Sequence, residues 1–185
     1  MNNKIGIIAG SLRKESFSKK IAKAVADLQP EGISFEIVSI DNLPIYNQDF
    51  DDLNDVPESY KTFRTKMKEY DGFIFITPEH NRSIPAVLKN AIDVGSRPTG
   101  ESFWDNKPAA IFSSSPGSIS AFGANHHLRQ CFVYLNLLTM QQPEVYIANI
   151  SEWFDDNDNI KDEENKKFLK SSVDAYVKWF NRLKE

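Results

Sequence analysis

The segment Gly10 to Ser18, which follows the first apolar run of the chain, carries residues that could bind an anion. It contains three hydroxyl side chains and one guanidinium group, those of Ser11, Ser16, Ser18 and Arg13. Helical periodicity begins within the same segment, and the start of a helix presents unpaired backbone N–H groups and the positive end of the helix dipole. Together these groups suit one phosphate.

The glycine pattern of this segment indicates which kind of phosphate it suits. A pyrophosphate-binding loop of the G-x-G-x-x-G type needs a third glycine, and a P-loop ends in G-K-[ST], but the segment has neither pattern. A monophosphate is therefore the predicted ligand. A second interpretation stays open from these residues alone, namely that the serines only cap a helix and that Arg13 is solvated.

A second polar segment, Thr77 to Pro85, follows the third apolar run. Its two prolines fix the path of the chain, and it leads directly into a helical pattern. A stiff turn of this kind offers backbone N–H groups to the polar edge of a planar ring such as an isoalloxazine, and it leaves the face of the ring open. The competing interpretation is that His80 is an ordinary surface histidine and Glu79 a solvated carboxylate.

The elements that must position both segments follow from the hydropathy pattern. Short β-branched runs, typical of strands, alternate with longer stretches of helical period. The predicted strands are Ile5–Ala9, Ile33–Ile40, Phe73–Thr77, Ala109–Ser113 and Glu144–Ile147. The predicted helices carry these apolar stripes: Ile21, Val25 and Leu28; Tyr60, Phe63, Met67 and Tyr70; Ile84, Val87, Leu88, Ala91 and Ile92, with Pro85 near the first turn; Leu128, Cys131, Phe132, Leu135 and Leu138; and Leu169, Val173, Tyr176, Val177 and Phe180.

This order of elements predicts one α/β domain over residues 1–185. Five strands favour a flavodoxin-like three-layer sandwich, in which a parallel sheet of order 2-1-3-4-5 has helices on both faces. The second run alternates and is predicted at an edge, and the acidic segment Asp155–Asp158 is predicted to be a solvated loop. Because such sheets bind ligands outside the carboxyl ends of their strands, the loops after strands one, three and four should carry the chemistry.

The charge of the chain limits its partners. A net charge of -4 and a pI near 5.5 argue against a nucleic acid or an anionic membrane as the main partner. No segment reaches the roughly 18 consecutive apolar residues of a membrane-spanning helix. The beginning of the chain, Met1–Lys4, lacks the apolar length of a signal peptide, which predicts a cytoplasmic location.

Several residues that could do chemistry in other settings are interpreted as structural. The only cysteine, Cys131, lies in an apolar run and is predicted to be buried packing. His126 and His127 are adjacent, so on a helix they point roughly 100° apart and are not expected to bind one metal ion. The chain also lacks the H-E-x-x-H, C-x-x-C and G-x-S-x-G motifs of other enzyme classes.

Three motifs resemble those of the NADPH-dependent FMN reductase family, whose members include quinone, chromate and azo-dye reductases with the flavodoxin-like fold. The G-S-x-R-x-x-S pattern appears as Gly10–Ser16, the P-E-Y-N turn as Pro78–Asn81 and the L-K-N-A-I-D stretch as Leu88–Asp93. The resemblance covers nearly the whole chain. It implies that the FMN phosphate is held by Ser11, Arg13, Ser16, Phe17 and Ser18, and that the ring system is edged by Pro78, Glu79, His80 and Asn81.

The loop after the fourth strand, Ser113–Gly117, resembles the family's small-residue loop beside the flavin. The resemblance implies contacts from Ser114, Ser115 and Gly117, where the glycine would allow close approach. The chain departs from the family pattern in two places. His80 stands where tyrosine is usual, and Val94 follows Asp93 where tryptophan is common. Ring stacking or the subunit interface is therefore expected to differ.

The function that the resemblance implies is transfer of hydride from NAD(P)H, through bound FMN, to a small acceptor such as a quinone, an azo compound, chromate or free flavin. No catalytic side chain is required, because the cofactor carries the difficult chemistry. The resemblance also implies a homodimer or homotetramer. Two other hypotheses stay open: a flavodoxin-type electron carrier that is reduced by a partner protein, and a scaffold that binds no flavin.

Overall fold

A computed structural model describes residues 3–184, so the residues Met1, Asn2 and Glu185 lie outside the described part of the predicted domain. Buried, largely apolar runs form the strands, since such runs suit a sheet that is covered on both faces. The strands are β1 (Asn3–Ala9), β2 (Ile33–Val38), β3 (Gly72–Thr77), β4 (Pro108–Ser114), β5 (Leu138–Thr139) and β6 (Val145–Ile147).

All paired strands run parallel, in the order β2-β1-β3-β4-β5, which confirms the flavodoxin-like prediction. β2 pairs with β1 alone and is therefore the edge strand that its alternating pattern predicts. The pairing of Ala9 with Ile76, and of Thr77 with Ser113, brings the carboxyl ends of β1, β3 and β4 to one level. The three loops expected to carry the chemistry leave the sheet at this common edge.

The last position of the sheet differs from the prediction of one strand at Glu144–Ile147. Two short strands share it: β5 pairs with Pro108 and Ala109 at the beginning of β4, and β6 pairs with Phe112–Ser114 at its end. Pro143 lies between them and has no N–H to donate to a ladder, which accounts for the interruption. The sixth strand is a small addition to the predicted order.

The helices are α1 (Phe17–Ala26), α2 (Asp49–Asp52), α3 (Glu58–Met67), α4 (Ala86–Gly95), α5 (Phe122–Tyr134) and α6 (Glu163–Arg182). They bury their apolar stripes in two cores, one on each face of the sheet. One core packs α1 and α6 against Ile5, Ile7 and Ile74, and the other packs α3, α4 and α5 against Phe73 and Phe75. The alternation of side chains along each strand thus supplies both layers.

Some predicted stripes extend beyond the helices. α5 ends at Tyr134, with Leu135 as its C-cap, and Leu138 belongs to β5, so the prediction of one helix through Leu138 was wrong. The helical spacing continues for one more residue of the stripe because Leu135, just past the helix, still packs on the same core. Ile84 likewise precedes α4, which begins after Pro85 as its N-cap.

Cys131 and the acidic segment have the surroundings of structural residues. Cys131 is half-buried rather than fully buried, and burial raises the pKa of its thiol. In the acidic segment, Asp155 accepts hydrogen bonds from the backbone N–H groups of Asn157 and Asn159, and Asp158 forms an ion pair with Lys20. Among residues 3–184, no helix is both long and apolar enough to cross a bilayer.

The loop after β2 is fixed by polar contacts that the sequence did not indicate. Arg64 of α3 is buried and donates two hydrogen bonds to the Asp51 carboxylate, at 2.6 and 2.9 Å, and a third to the Val94 carbonyl oxygen at 3.1 Å. Asn90 of α4 donates to the carbonyl oxygen of Pro44 at 2.8 Å and accepts from the Tyr46 N–H at 2.8 Å. This loop is therefore joined to α3 and α4.

Replacement of Asp51 by alanine should destabilise the protein in a pH-dependent way. Hydrogen bonds from Arg64 hold the pKa of Asp51 below its ordinary value of 3.8. The contribution of the carboxylate is therefore present at neutral pH and is lost as the pH falls through the lowered pKa. We expect Asp51→Ala to lower the free energy of unfolding by about 3 kcal/mol at pH 7, because it leaves a buried guanidinium unpaired.

Urea denaturation of wild-type and variant protein from pH 7 down to the acid limit of folding measures this difference. Asp52→Ala is the matched control, because Asp52 is exposed and should change stability by no more than about 0.5 kcal/mol. A difference for Asp51→Ala that stays constant as the pH falls would contradict the assignment.

Candidate functional site

α1 follows β1 after the loop of residues 10–16, and Ser16 is its N-cap. The Ser16 Oγ accepts a hydrogen bond from the Lys19 N–H at 3.4 Å, and the Ser16 carbonyl oxygen accepts one from the Lys20 N–H at 3.1 Å. The capping interpretation of the sequence is thus correct for Ser16. It does not extend to Ser11 or Ser18, because neither side chain forms a cap in the described chain.

Several donors at this helix start have no partner within residues 3–184. The backbone N–H groups of Phe17 and Ser18 meet no acceptor, and neither do the side chains of Ser11 and Arg13. No acidic residue lies in the first turn of α1 to neutralise the helix dipole. Arg13 is exposed, whereas Ser11 and Ser18 are buried. The result is a helix start with unpartnered hydrogen-bond donors, an exposed guanidinium beside it and no acidic residue in its first turn.

The loop itself is held in place by its neighbours. Gly10 donates its N–H to the Ile76 carbonyl oxygen at 2.8 Å, and a Cβ at this position would come within 2.8 Å of Leu88. Lys19 Nζ donates to the Leu12 carbonyl oxygen at 3.1 Å. A side chain at position 10 would therefore displace Leu88, and the loop is joined to β3 and to α1 by these two hydrogen bonds.

The predicted stiff turn after β3 is a two-residue β-hairpin. His80 N–H donates to the Ser83 carbonyl oxygen at 3.0 Å, and Ser83 N–H donates back to the His80 carbonyl oxygen at 2.9 Å. The two residues at the tip, Asn81 and Arg82, both have positive φ, at 49° and 64°. Positive φ at both central residues is the mark of a type I′ turn.

The side chains of this hairpin point in different directions. Glu79 is turned towards the start of α5, where its carboxylate accepts from the Ala124 N–H at 3.2 Å and pairs with Arg82 at 3.1 Å. His80 and Asn81 are exposed, and Pro78 is half-buried. The backbone N–H groups of Glu79 and Asn81 have no acceptor in the part of the chain that the structure describes. Together with the N–H of Arg82, which also has no acceptor among residues 3–184, these are the backbone donors that the hairpin can offer to a ligand.

The third loop at the carboxyl ends of the strands is the one after β4. Ser114 is buried at the end of β4. Ser115 is committed to the fold, since its N–H donates to the Ile147 carbonyl oxygen, its carbonyl oxygen accepts from the Ile150 N–H, and its Oγ donates to the Gly117 carbonyl oxygen at 2.9 Å. A Cβ on Gly117 would meet no described atom nearer than the Ser115 Oγ at 4.0 Å. The fold itself therefore does not require glycine there.

Sequence reasoning missed the role of α5 in joining these loops. Gly123 and Ala124 contact the hairpin, and the Ser83 Oγ lies 3.0 Å from His127 Nδ1. The fully buried Asn125 donates to the Ser113 Oγ at 3.1 Å and accepts from Arg129 at 2.9 Å. The only available signal was a glycine and an asparagine near the start of a helical pattern, which is too common to interpret alone.

The two adjacent histidines have separate contacts. His127 faces Ser83, and His126 Nε2 lies 3.1 Å from the Tyr146 hydroxyl. Within residues 3–184 no group of three His, Cys, Asp or Glu side chains is arranged to hold a metal ion. Burial raises the pKa of Tyr146, so its hydroxyl is protonated at neutral pH.

Comparison with known proteins places this arrangement in context. Residues 3–152 match the sequence model of a family described as NADPH-dependent FMN reductase. A quinone reductase of Pseudomonas putida is 46% identical over 175 residues, which cover 95% of this chain and 93% of that protein. A 2-hydroxy-1,4-benzoquinone reductase of a Burkholderia species is 44% identical, with 95% of each chain covered.

A solved structure with the same fold also matches. It is FerB, described as a flavoenzyme NAD(P)H:(acceptor) oxidoreductase, from Paracoccus denitrificans. The two structures superpose with a TM-score of 0.89 and 36% sequence identity, over 97% of this chain and 98% of FerB. The likeness therefore extends over the sheet, the helices and the loops at its carboxyl edge.

Proposed function

The chain belongs to the NADPH-dependent FMN reductase family, and from this premise we propose that it is an NAD(P)H-dependent oxidoreductase that contains FMN and reduces a small quinone-type acceptor. The relatives named as quinone reductases support this class of acceptor. Azo compounds, chromate and free flavin remain further candidates for the acceptor. The observation that carries the proposal is the set of unpartnered donors at the start of α1.

These donors fit the phosphate of FMN. A phosphate monoester carries close to two negative charges and accepts several hydrogen bonds. The start of α1 offers two backbone N–H groups, from Phe17 and Ser18, and the Arg13 guanidinium, with no competing carboxylate in the first turn. We therefore assign Ser11, Arg13, Phe17 and Ser18 to the phosphate, with Ser16 acting through its cap.

The two remaining loops fit the ring system. The hairpin offers the backbone N–H groups of Glu79 and Asn81, and its exposed tip leaves space beside them. On the other side, the open surroundings of Gly117 allow a planar group to approach the backbone. We assign Pro78–Asn81, Ser114 and Gly117 to the ring, while the Ser115 side chain holds the loop in shape.

When bound, FMN supplies the redox chemistry, accepting hydride from NAD(P)H and passing reducing equivalents to the acceptor. The residues of the chain bind the cofactor and orient it. N–H donors fixed near the polar edge of the ring stabilise negative charge there, since they need no reorganisation when that charge develops. No side chain is required to transfer a proton, so the catalytic contribution of the protein is positioning and electrostatics.

An electron carrier of the flavodoxin type is not favoured. The relatives reported above are named for reductase or oxidoreductase activity, and the name of FerB specifies NAD(P)H as the donor. The modest net charge of -4 also offers little for a strongly charged docking face. A flavin-free scaffold is disfavoured by the unpartnered donors at α1.

We further propose that the protein is a homodimer or a larger homo-oligomer. Val133 and Tyr134 at the end of α5, and Ile45 in the loop after β2, are 82%, 88% and 85% exposed. Tyr134 lines a cavity of about 490 Å³ together with Tyr46 and Cys131, and Val133 and Ile45 are the chain neighbours of Tyr134 and Tyr46. Large exposed apolar side chains close together on the surface favour a contact with another protein. A second copy of this chain can make that contact, because a two-fold axis would bury the same side chains on both copies.

We also propose a cytoplasmic location, where NAD(P)H is maintained in reduced form as an electron donor. The half-buried thiol of Cys131, with no second cysteine to pair with, suits a reducing compartment.

The purified protein should be yellow, or should become so with added FMN. We expect NADPH or NADH to bleach its flavin absorbance under nitrogen without any second protein, and a quinone to restore it. Stopped-flow absorbance measures both half-reactions. Reduction that requires a protein partner would support the carrier instead, and a colourless preparation that ignores added FMN would contradict both.

Arg13→Ala should weaken FMN binding by about 1.5–3 kcal/mol, the range for a hydrogen bond to a charged group. Because Arg13 has no partner in the described fold, its loss should leave the melting temperature of the flavin-free protein unchanged. Quenching of FMN fluorescence measures the affinity. Lys14→Ala is the matched control, since Lys14 is an exposed cation one residue away. Equal flavin retention by both variants would rule out the phosphate assignment.

Tyr134→Glu should dissociate the oligomer, because it places a charge in the centre of the proposed apolar contact. Sedimentation velocity at several micromolar protein measures the change. Phe168→Glu on α6, on the opposite face of the sheet, is the control and should leave the oligomer intact. A monomeric wild-type protein, or an oligomer that tolerates Tyr134→Glu, would refute this interface.

A further inference from the structure

The hairpin after β3 has an unfavourable conformation that must be stabilised from outside. Arg82 has a φ of 64° and Asn81 a φ of 49°. Asparagine accepts the left-handed region, but a long side chain such as arginine does so at a cost of about 1–2 kcal/mol. The two hydrogen bonds between His80 and Ser83 close the hairpin without fixing where its tip lies. Contacts with another element must do so.

The first of these contacts is the backbone of α5 at Gly123. A Cβ built on Gly123 would lie 2.6 Å from the Arg82 carbonyl oxygen and 2.8 Å from the Glu79 Oε2. Its φ is ordinary, so the conformation of Gly123 does not require glycine. The close approach of the hairpin requires it instead. Any larger residue must push the tip of the hairpin away from the helix.

The second contact is the carboxylate of Glu79. α5 starts after Ala121, which offers no side-chain cap, and the Phe122 N–H donates to the Ile119 carbonyl oxygen, so the next N–H groups of the first turn need another acceptor. Glu79 Oε2 accepts from the Ala124 N–H at 3.2 Å, and Glu79 Oε1 accepts from Arg82 at 3.1 Å. The side chain is only 11% exposed. A negative charge at a helix N-terminus is favourable, so this cap also ties the hairpin to the helix.

We propose that Glu79 and Gly123 are positioning residues for the flavin ring, a role that rests on the proposed function. The carboxylate of Glu79 is committed to α5, so its side chain acts on the ring only through the hairpin. The N–H groups of Glu79 and Asn81 belong to that same hairpin. Their direction is therefore set by the contacts with Gly123 and Ala124.

This arrangement predicts an effect on ring binding and none on phosphate binding. The hairpin and the start of α1 are separate loops, and Glu79 contacts Ala124 and Arg82 alone among the polar groups described. We call the contacts of the hairpin with Gly123 and Ala124 the anchor. Loss of the anchor should weaken the binding of FMN and of riboflavin by the same factor, because riboflavin has the ring and lacks the phosphate. Glu79→Gln should retain most of the affinity, since the amide oxygen can still accept from the Ala124 N–H.

The experiment compares wild type with Glu79→Ala, Glu79→Gln and Gly123→Ala, and uses Glu101→Ala as an exposed control. Dissociation constants for FMN and riboflavin are measured by fluorescence quenching, well below the melting temperature of each variant. We expect Glu79→Ala and Gly123→Ala to raise both constants by about tenfold or more. Glu79→Gln and Glu101→Ala should stay within about threefold of wild type.

The Gly123→Ala variant distinguishes displacement of the hairpin from a general loss of folded structure. Alanine is the better helix former, so this change should not weaken α5 itself. If Glu79→Ala fails to fold, Gly123→Ala and Glu79→Gln still decide the proposal. Hydrogen exchange of residues 78–83 in the flavin-free proteins gives a second readout, and both anchor variants should exchange faster there than wild type.

Folded Glu79→Ala and Gly123→Ala proteins that bind both flavins as wild type does would overturn the proposal. A loss of affinity for FMN but not for riboflavin would also overturn it, because it would place Glu79 at the phosphate. The same holds if Glu79→Gln binds both flavins as weakly as Glu79→Ala does. A wild-type protein that binds neither flavin would refute the proposed function instead, and the hydrogen-exchange result would then report on the anchor alone.

Discussion

The unpaired N–H groups at the start of α1 are the constraint on which the rest of the site depends. The first turn of any helix leaves backbone donors without partners, and proteins usually pair them with side chains. Here Ser16 pairs one of them, while Phe17 and Ser18 keep theirs free in the described chain, and the first turn of α1 contains no acidic residue. An external dianion stabilises such a helix start by both charge and hydrogen bonding.

The sheet brings the other two loops to this point. β1 lies between β2 and β3, and the loops after β1, β3 and β4 leave the same edge because all these strands are parallel and in register. Each loop is held by contacts with its neighbours: Leu88 behind Gly10, Gly123 beside Arg82, and Ile147 and Ile150 against Ser115. These contacts hold the three loops in place without a ligand, which favours a low entropic cost of binding.

Much of this architecture could be predicted from the sequence, because parallel strands that are covered on both faces leave long apolar runs, and the topology follows from their alternation with helices. The direction of individual side chains could not be predicted. The resemblance placed Glu79 beside the ring, yet its carboxylate caps α5, 45 residues further along the chain. The split of the last strand into β5 and β6 was also hidden, since the two-residue β5 continues the apolar stripe of a helix.

A crystal structure of the protein with FMN tests the central claim most directly. The account predicts that the phosphate oxygens lie at hydrogen-bonding distance, about 2.7–3.2 Å, from the backbone nitrogens of Phe17 and Ser18, with the Arg13 guanidinium beside them. A flavin whose phosphate lies elsewhere, with those N–H groups facing water or the protein's own atoms, would contradict it.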